Sequence, residues 1–139
     1  MSVEVDIVYT GDLLCEARHG PSGSIIVTEA PVDNGGKGMK FSPTDLVATA
    51  LGTCILTIMA KVAERHGWTF VGTRVHIVKE MVADPHRRIG TLRTTVTLPP
   101  GGTWSVDDRA RLERAAHTCP VKHSLHPNVQ VPIEFIYPE

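Results

Sequence analysis

The chain has no excess of charge of either sign. Its 14 Lys and Arg stand against 15 Asp and Glu for a formal net charge of −1, and the basic residues are scattered along 139 positions. With no basic stripe to follow a phosphate backbone, a nucleic-acid partner is not expected. The chain also has no internal repeat and no low-complexity linker, so residues 1–139 are expected to form one domain, within the usual range of roughly 100 to 200 residues. No segment reads as an uninterrupted apolar run of about 20 residues, so a soluble chain without a membrane partner is expected. The first residues, Met1-Ser2-Val3-Glu4-Val5-Asp6, alternate and carry acids where a secretory signal has a basic start and an apolar stretch. The cytoplasm is therefore the expected location. Cysteine is scarce and odd in number, three in all, which fits a secreted disulfide framework poorly. In a reducing compartment these residues would be thiols, and burial is the ordinary fate of a free Cys.

What the chain does have is a change of pattern around a Gly-rich segment, Asp33-Asn34-Gly35-Gly36-Lys37-Gly38, which reads as a mobile connecting loop. Before it, residues 3–9 alternate, Thr10-Gly11-Asp12 turns, and residues 13–18 and 24–28 look like two further strands of a small antiparallel meander. After it, Ser42-Pro43-Thr44-Asp45 supplies an N-cap Ser, a Pro at the first helical position and an acid at N3. Val47, Leu51, Cys54, Ile55, Ile58, Met59 and Val62 follow at spacings of three and four, and Gly67 ends the run. The spacing predicts a core-facing helix over 43–66. Residues 72–82 and 90–98 form a second alternating pair across an Asp-Pro turn, and Ser105 begins a shorter helix running to about 117. Residues 128–137 read as a last strand, at an edge because of Pro132. The order βββ-α-ββ-α-β means an α+β fold of antiparallel strands around a long helix.

Two cysteines stand in settings that suit chemistry. Cys54 lies within the apolar stripe of the long helix and reads equally as a core residue. Cys119 lies in His117-Thr118-Cys119-Pro120-Val121-Lys122-His123-Ser124-Leu125-His126-Pro127, among three imidazoles and one Lys. Positive neighbours lower a thiol pKa, and a helical turn beginning at Pro120 would add free N–H groups that favour thiolate. Cys119 is thus a candidate nucleophile or resolving thiol, and otherwise part of a capped loop. His117, Cys119, His123 and His126 are also of the types that bind zinc, although the Cys-x3-His-x2-His spacing is not a specific signature. A hydrolase arrangement of Cys, His and Asp has no local motif behind it. Cys15, beside Leu13, reads as a packed strand residue.

Phe41-Ser42-Pro43-Thr44-Asp45-Leu46-Val47-Ala48-Thr49-Ala50-Leu51-Gly52-Thr53-Cys54, taken with the distant Cys119-Pro120, resembles the osmotically inducible protein C and organic hydroperoxide resistance (OsmC/Ohr) family. Thr28-Glu29-Ala30-Pro31-Val32-Asp33-Asn34-Gly35-Gly36 looks like its OsmC-type subgroup. The resemblance implies an interlocked α+β homodimer whose active sites draw residues from both chains. It implies that Cys54 is the peroxidatic thiol and Cys119 the resolving one, that organic hydroperoxides are the substrates, and that a thiol reductant, in some members a dihydrolipoyl protein, supplies electrons. No metal, flavin or other cofactor is implied. The family's arginine from the N-terminal segment is carried over to Arg18, with His19 or Arg74 as substitutes. Its glutamate ten residues before the first Cys has no counterpart here, where Thr44 stands. The acid is one later, at Asp45, which either holds an arginine or caps the helix. Two alternatives remain on these residues: a non-catalytic, small-ligand-binding member of the same fold, and a Cys/His zinc-binding protein.

Overall fold

Alternation of apolar and polar residues builds the first three strands, β1 (Val5–Gly11), β2 (Leu14–His19) and β3 (Ile25–Glu29), in the computed structural model, which describes all residues Met1–Glu139. They form one antiparallel sheet in the order β1-β2-β3, with Ile7 opposite Ala17 and Cys15 opposite both Tyr9 and Thr28. The chain divides within the long helix into two compact units, Met1–Val47 and Ala48–Glu139.

In the first unit the Gly-rich segment is more ordered than a mobile loop. Val32–Asn34 makes one turn of 3₁₀ helix. Beyond it the backbone folds back on the buried carboxylate of Glu29, which accepts N–H groups from Lys37 at 3.2 Å and Met39 at 2.8 Å. Gly36 approaches the Ala30 carbonyl so closely that a Cβ there would overlap the oxygen. The segment is therefore tied at both ends of its turn, and the expectation of a free connector is corrected: a buried carboxylate needs donors, and these amides supply them.

The long helix, α1, runs Pro43–His66, with the limits that its sequence signals predict. Ser42 and Asp45 form a reciprocal capping box: the Asp45 N–H donates to Ser42 Oγ at 3.1 Å, and the Ser42 N–H donates to Asp45 Oδ2 at 2.9 Å. Such a cap satisfies two of the N–H groups that a helix start leaves unpaired. By length and composition α1 is apolar enough to cross a membrane, which corrects the expectation that no segment is. Within its apolar stripe Leu51, Ile55, Met59 and Ala63 are fully covered by protein, while Val47, Cys54, Ile58 and Val62 are half-buried.

The partner of that stripe is a second sheet of β4 (Arg74–Val82), β5 (Arg88–Thr97) and β6 (Ile133–Ile136). A Cβ at Gly52 would lie 3.1 Å from Ile77 Cδ1 and 3.3 Å from Val75 Cγ1, so the missing side chain lets α1 lie close on β4. Central β5 buries Leu92, Thr94 and Val96 on one face, and Leu98 follows just past its end. The Thr94 hydroxyl is satisfied by the Leu92 carbonyl at 3.1 Å. Over the same core sits α2 (Val106–His117), contributing Leu112, Ala115 and Ala116. A five-residue helix, α3 (Pro120–Ser124), follows at once. The last strand is at an edge, as Pro132 requires, but it pairs with β5 in parallel. The expectation of wholly antiparallel strands is corrected here. After β5 the chain crosses through α2 and α3 before returning, and a crossover of that length permits the parallel pairing that a tight turn forbids.

Candidate active site

Cys54 sits on the flank of α1. The fully buried positions 51, 55, 59 and 63 repeat every four residues, and Cys54, Ile58 and Val62 run beside them, half-buried. Ala63 takes the core place that the sequence pattern assigns to Val62, because the buried row follows the four-residue ridge of the helix rather than the mixed three-and-four spacing. Thr53 and Thr57, on the exposed side, return their hydroxyls to helix carbonyls, Thr53 Oγ1 to Thr49 O at 2.9 Å and Thr57 Oγ1 to Thr53 O at 2.7 Å. Neither hydroxyl competes for the thiol.

Cys119 is the N-cap residue of α3 and is fully buried. Its side chain is a neighbour of Cys54, and all three cysteines are free thiols. Burial pushes the Cys119 thiol up from its ordinary value, and its hydrogen bond with Cys54 pushes in the same direction. The backbone N–H groups of Lys122 and Val121 act the other way. The sequence-based expectation that the α3 start favours thiolate is thus half fulfilled: the donors are present, but desolvation of the charged form outweighs them. Burial thus favours the protonated form of Cys119.

Asp45 accepts the Ser42 N–H at Oδ2 as the acid of the capping box. Arg18 is an exposed residue of β2, opposite Asp6, with its guanidinium beside the Gly23 turn: a Cβ at Gly23 would lie 3.7 Å from Nη2. Of its substitutes, His19 shares a 2.6 Å hydrogen bond with Ser22 Oγ, and Arg74 is exposed at the start of β4. Cys15 is half-buried within β2. No three His, Cys, Asp or Glu side chains come together as a metal ion requires. His117, Cys119, His123 and His126 therefore do not converge, and the zinc alternative loses its ligand set. Sequence reasoning gave no role to the Glu29 carboxylate, and its signal was an acid at the end of an apolar strand, just before a Gly-rich turn that brings the Lys37 and Met39 amides back to it.

A neutral, buried thiol touching a second thiol on a long helix is an arrangement that can form a disulfide with little movement. The chain is similar to several proteins with this architecture. The family model of OsmC-like proteins matches residues 35–134. A protein from Psychrobacter arcticus 273-4, whose crystal structure is described under osmotic stress induction and detoxification response, is 37% identical, with a TM-score of 0.87 over 94% of this chain and 93% of that one. The organic hydroperoxide resistance protein OsmC of Legionella pneumophila shares the fold at 14% identity, with a TM-score of 0.77 over 98% and 97% of the two chains. OhrB of Bacillus subtilis, an organic hydroperoxide resistance protein, does so at 16% identity, with a TM-score of 0.70 over 97% and 98%. No curated protein sequence matches the chain. With the family model covering well over half of its residues, the chain belongs to the OsmC-like protein family, which includes organic hydroperoxide resistance proteins.

Proposed function

We propose that the protein is a cysteine-based peroxidase that reduces organic hydroperoxides, with Cys54 as the attacking thiol and Cys119 as the resolving one. The observation that carries this reading is the contact between the two thiols, one half-buried and the other fully buried with its proton held. The Cys54 thiolate attacks the distal peroxide oxygen, the O–O bond breaks, and the alkoxide leaves and takes a proton to become the alcohol. Sulfur is oxidised to sulfenic acid. The Cys119 sulfur then attacks Cys54 sulfur, the S–OH bond breaks, and the hydroxyl departs as water with the Cys119 proton. A dithiol reductant of the dihydrolipoyl type returns two electrons and two protons and restores both thiols. Ile58, one turn beyond Cys54, offers an apolar contact for the alkyl part.

A half-buried thiol needs a cation to keep a useful fraction as thiolate, and Arg18 is the side chain proposed for it. Asp45 is proposed in its capping role, which its hydrogen bonds with Ser42 support. The functional unit is proposed to be a homodimer in the cytoplasm. Support for the dimer comes from the N-terminal sheet: neighbouring residues Ile7 and Val8 are 65% and 63% exposed although a strand sends them to opposite faces. Ile25 and Ile26 on β3 are 53% and 50% exposed. A sheet with apolar side chains uncovered on both faces fits a partner better than water.

The test is titration of reduced protein with one equivalent of cumene hydroperoxide, following free thiols and intact mass. Wild type should lose two thiols, Cys119→Ser should stop at a sulfenic acid, and Cys54→Ser should not react. Retention of all thiols in wild type would remove the peroxidase reading and leave a non-catalytic ligand-binding member of the same fold.

A further inference from the structure

Basic residues that lie scattered in the sequence are gathered by the fold into one concavity. On α1, Ile58, Lys61, Val62 and Arg65 follow at spacings of three, one and three, and so occupy one helical face. On α2, Arg111 and Arg114 do the same. The two faces line a groove of about 500 Å³, within the range of roughly 300 to 1,000 Å³ that small-molecule sites occupy. Four permanent cations line it, and no Asp or Glu does. None of the four is held in an ion pair, whereas exposed Arg93 elsewhere finds Glu80 at 2.9 Å. Glu113, the acid beside Arg114 in sequence, is turned to the Tyr137 hydroxyl, close enough for its charge to help push that phenol up to about 12 after burial has done most of the work.

Cations near a helix C-terminus offset its partial negative charge, and that accounts for Arg65 and Arg114, which lie in or near the last turns. It does not account for Lys61 or Arg111, nor for the convergence of both helices on one groove without an acid. Four like charges that line one groove repel, and a bound multivalent anion relieves that repulsion. Guanidinium groups suit phosphate, whose oxygens accept paired N–H donors, while Ile58 and Val62 supply an apolar wall beside the charges.

We propose that this groove is a binding site for a phosphate monoester with a small apolar substituent, the phosphate held by Lys61, Arg65, Arg111 and Arg114 and the carbon skeleton lying on Ile58 and Val62. The groove adjoins the thiol pair, sharing Ile58 with the alkyl contact proposed there and reaching Thr118 beside Cys119, but the proposal does not depend on peroxide chemistry. Its test is thermal unfolding of the reduced protein titrated with phenyl phosphate at constant ionic strength, beside inorganic phosphate and phenol as separate probes. Phenyl phosphate should raise Tm saturably, inorganic phosphate should do so more weakly, and phenol should not. Arg65→Gln and Arg114→Gln, both at exposed positions, should each weaken phenyl phosphate binding about tenfold, the loss of one charge-assisted contact. Arg93→Gln removes the same charge outside the groove and should leave binding unchanged. Circular dichroism of the unliganded variants checks that the fold survives. Absence of a saturable shift, an equal loss in Arg93→Gln, or binding of phenol as tight as that of phenyl phosphate would each overturn the proposal.

Discussion

Two ionisable side chains, Cys119 and Glu29, are held in opposite states by how their burial is compensated. Cys119 is buried beside another thiol, and its neutral form wins over the amides of Lys122 and Val121. Alkylation of the reduced protein should therefore modify Cys54 well before Cys119 at pH 8, with single-Cys variants and intact mass as the measurement. Faster modification of Cys119 would contradict its role as the protonated partner. Glu29 is equally hidden, yet backbone N–H groups, that of Met39 foremost, hold its carboxyl below the ordinary value of 4.5 against a desolvation that pushes upward. A carboxyl depressed on folding adds stability that is complete above its unfolded value and fades as pH falls through the lower folded one. Stability should accordingly decline below about pH 4.5 with a component absent in Glu29→Gln. In that variant the Lys37 and Met39 amides should also exchange hydrogen faster, since an amide oxygen is a weaker acceptor than a carboxylate.

At the scale of elements, α1 depends on its start and on its closest approach to the sheet. Ser42→Ala should cost about 1 kcal/mol through loss of the cap, read as a shift in the urea midpoint. Asp45→Ala should cost a similar amount by removing the other half of the box, and peroxide turnover should survive in both. If turnover collapsed in Asp45→Ala alone, the carboxylate would be doing more than capping, and the arginine-holding role would return. Gly52→Leu should destabilise by about 1–3 kcal/mol, because the side chain meets Ile77 and Val75 where only a hydrogen atom fits. The same substitution lifts Cys54, two residues on, from its place beside Cys119, so disulfide formation after peroxide should slow more than stability falls. A variant with wild-type stability and thiol chemistry would show that the contact of α1 with β4 is not a determinant of the site.

For the molecule as a whole, the N-terminal sheet sets the expectation. Exposed Ile7, Val8, Tyr9, Ile25 and Ile26 should be covered in solution by a second copy, so sedimentation should give about twice the 15.1 kDa of one chain. Ile7→Lys with Ile26→Lys should shift it toward the monomer, and a wild type that sediments as a monomer at micromolar concentration would remove the dimer from the proposed function. Much of this architecture was legible in the amino-acid order. The limits of α1 and α2 follow from local signals, Ser-Pro-x-Asp and Ser-Val-Asp-Asp at their starts and Gly67 after the first, and short-range capping and periodicity need no tertiary partner to act. The strands of the two sheets were readable from alternation for the same reason, and the two chemically distinctive cysteines from their settings. What local order left open was everything set by residues far apart in the chain. The parallel pairing of β6 with β5, the contact of Cys54 with a thiol 65 positions later, and the gathering of Lys61, Arg65, Arg111 and Arg114 around one groove are products of packing. So is the raised pKa of Cys119: the amides that favour its thiolate are adjacent in sequence, but the desolvation that outweighs them comes from a core assembled by α1, β5 and α2.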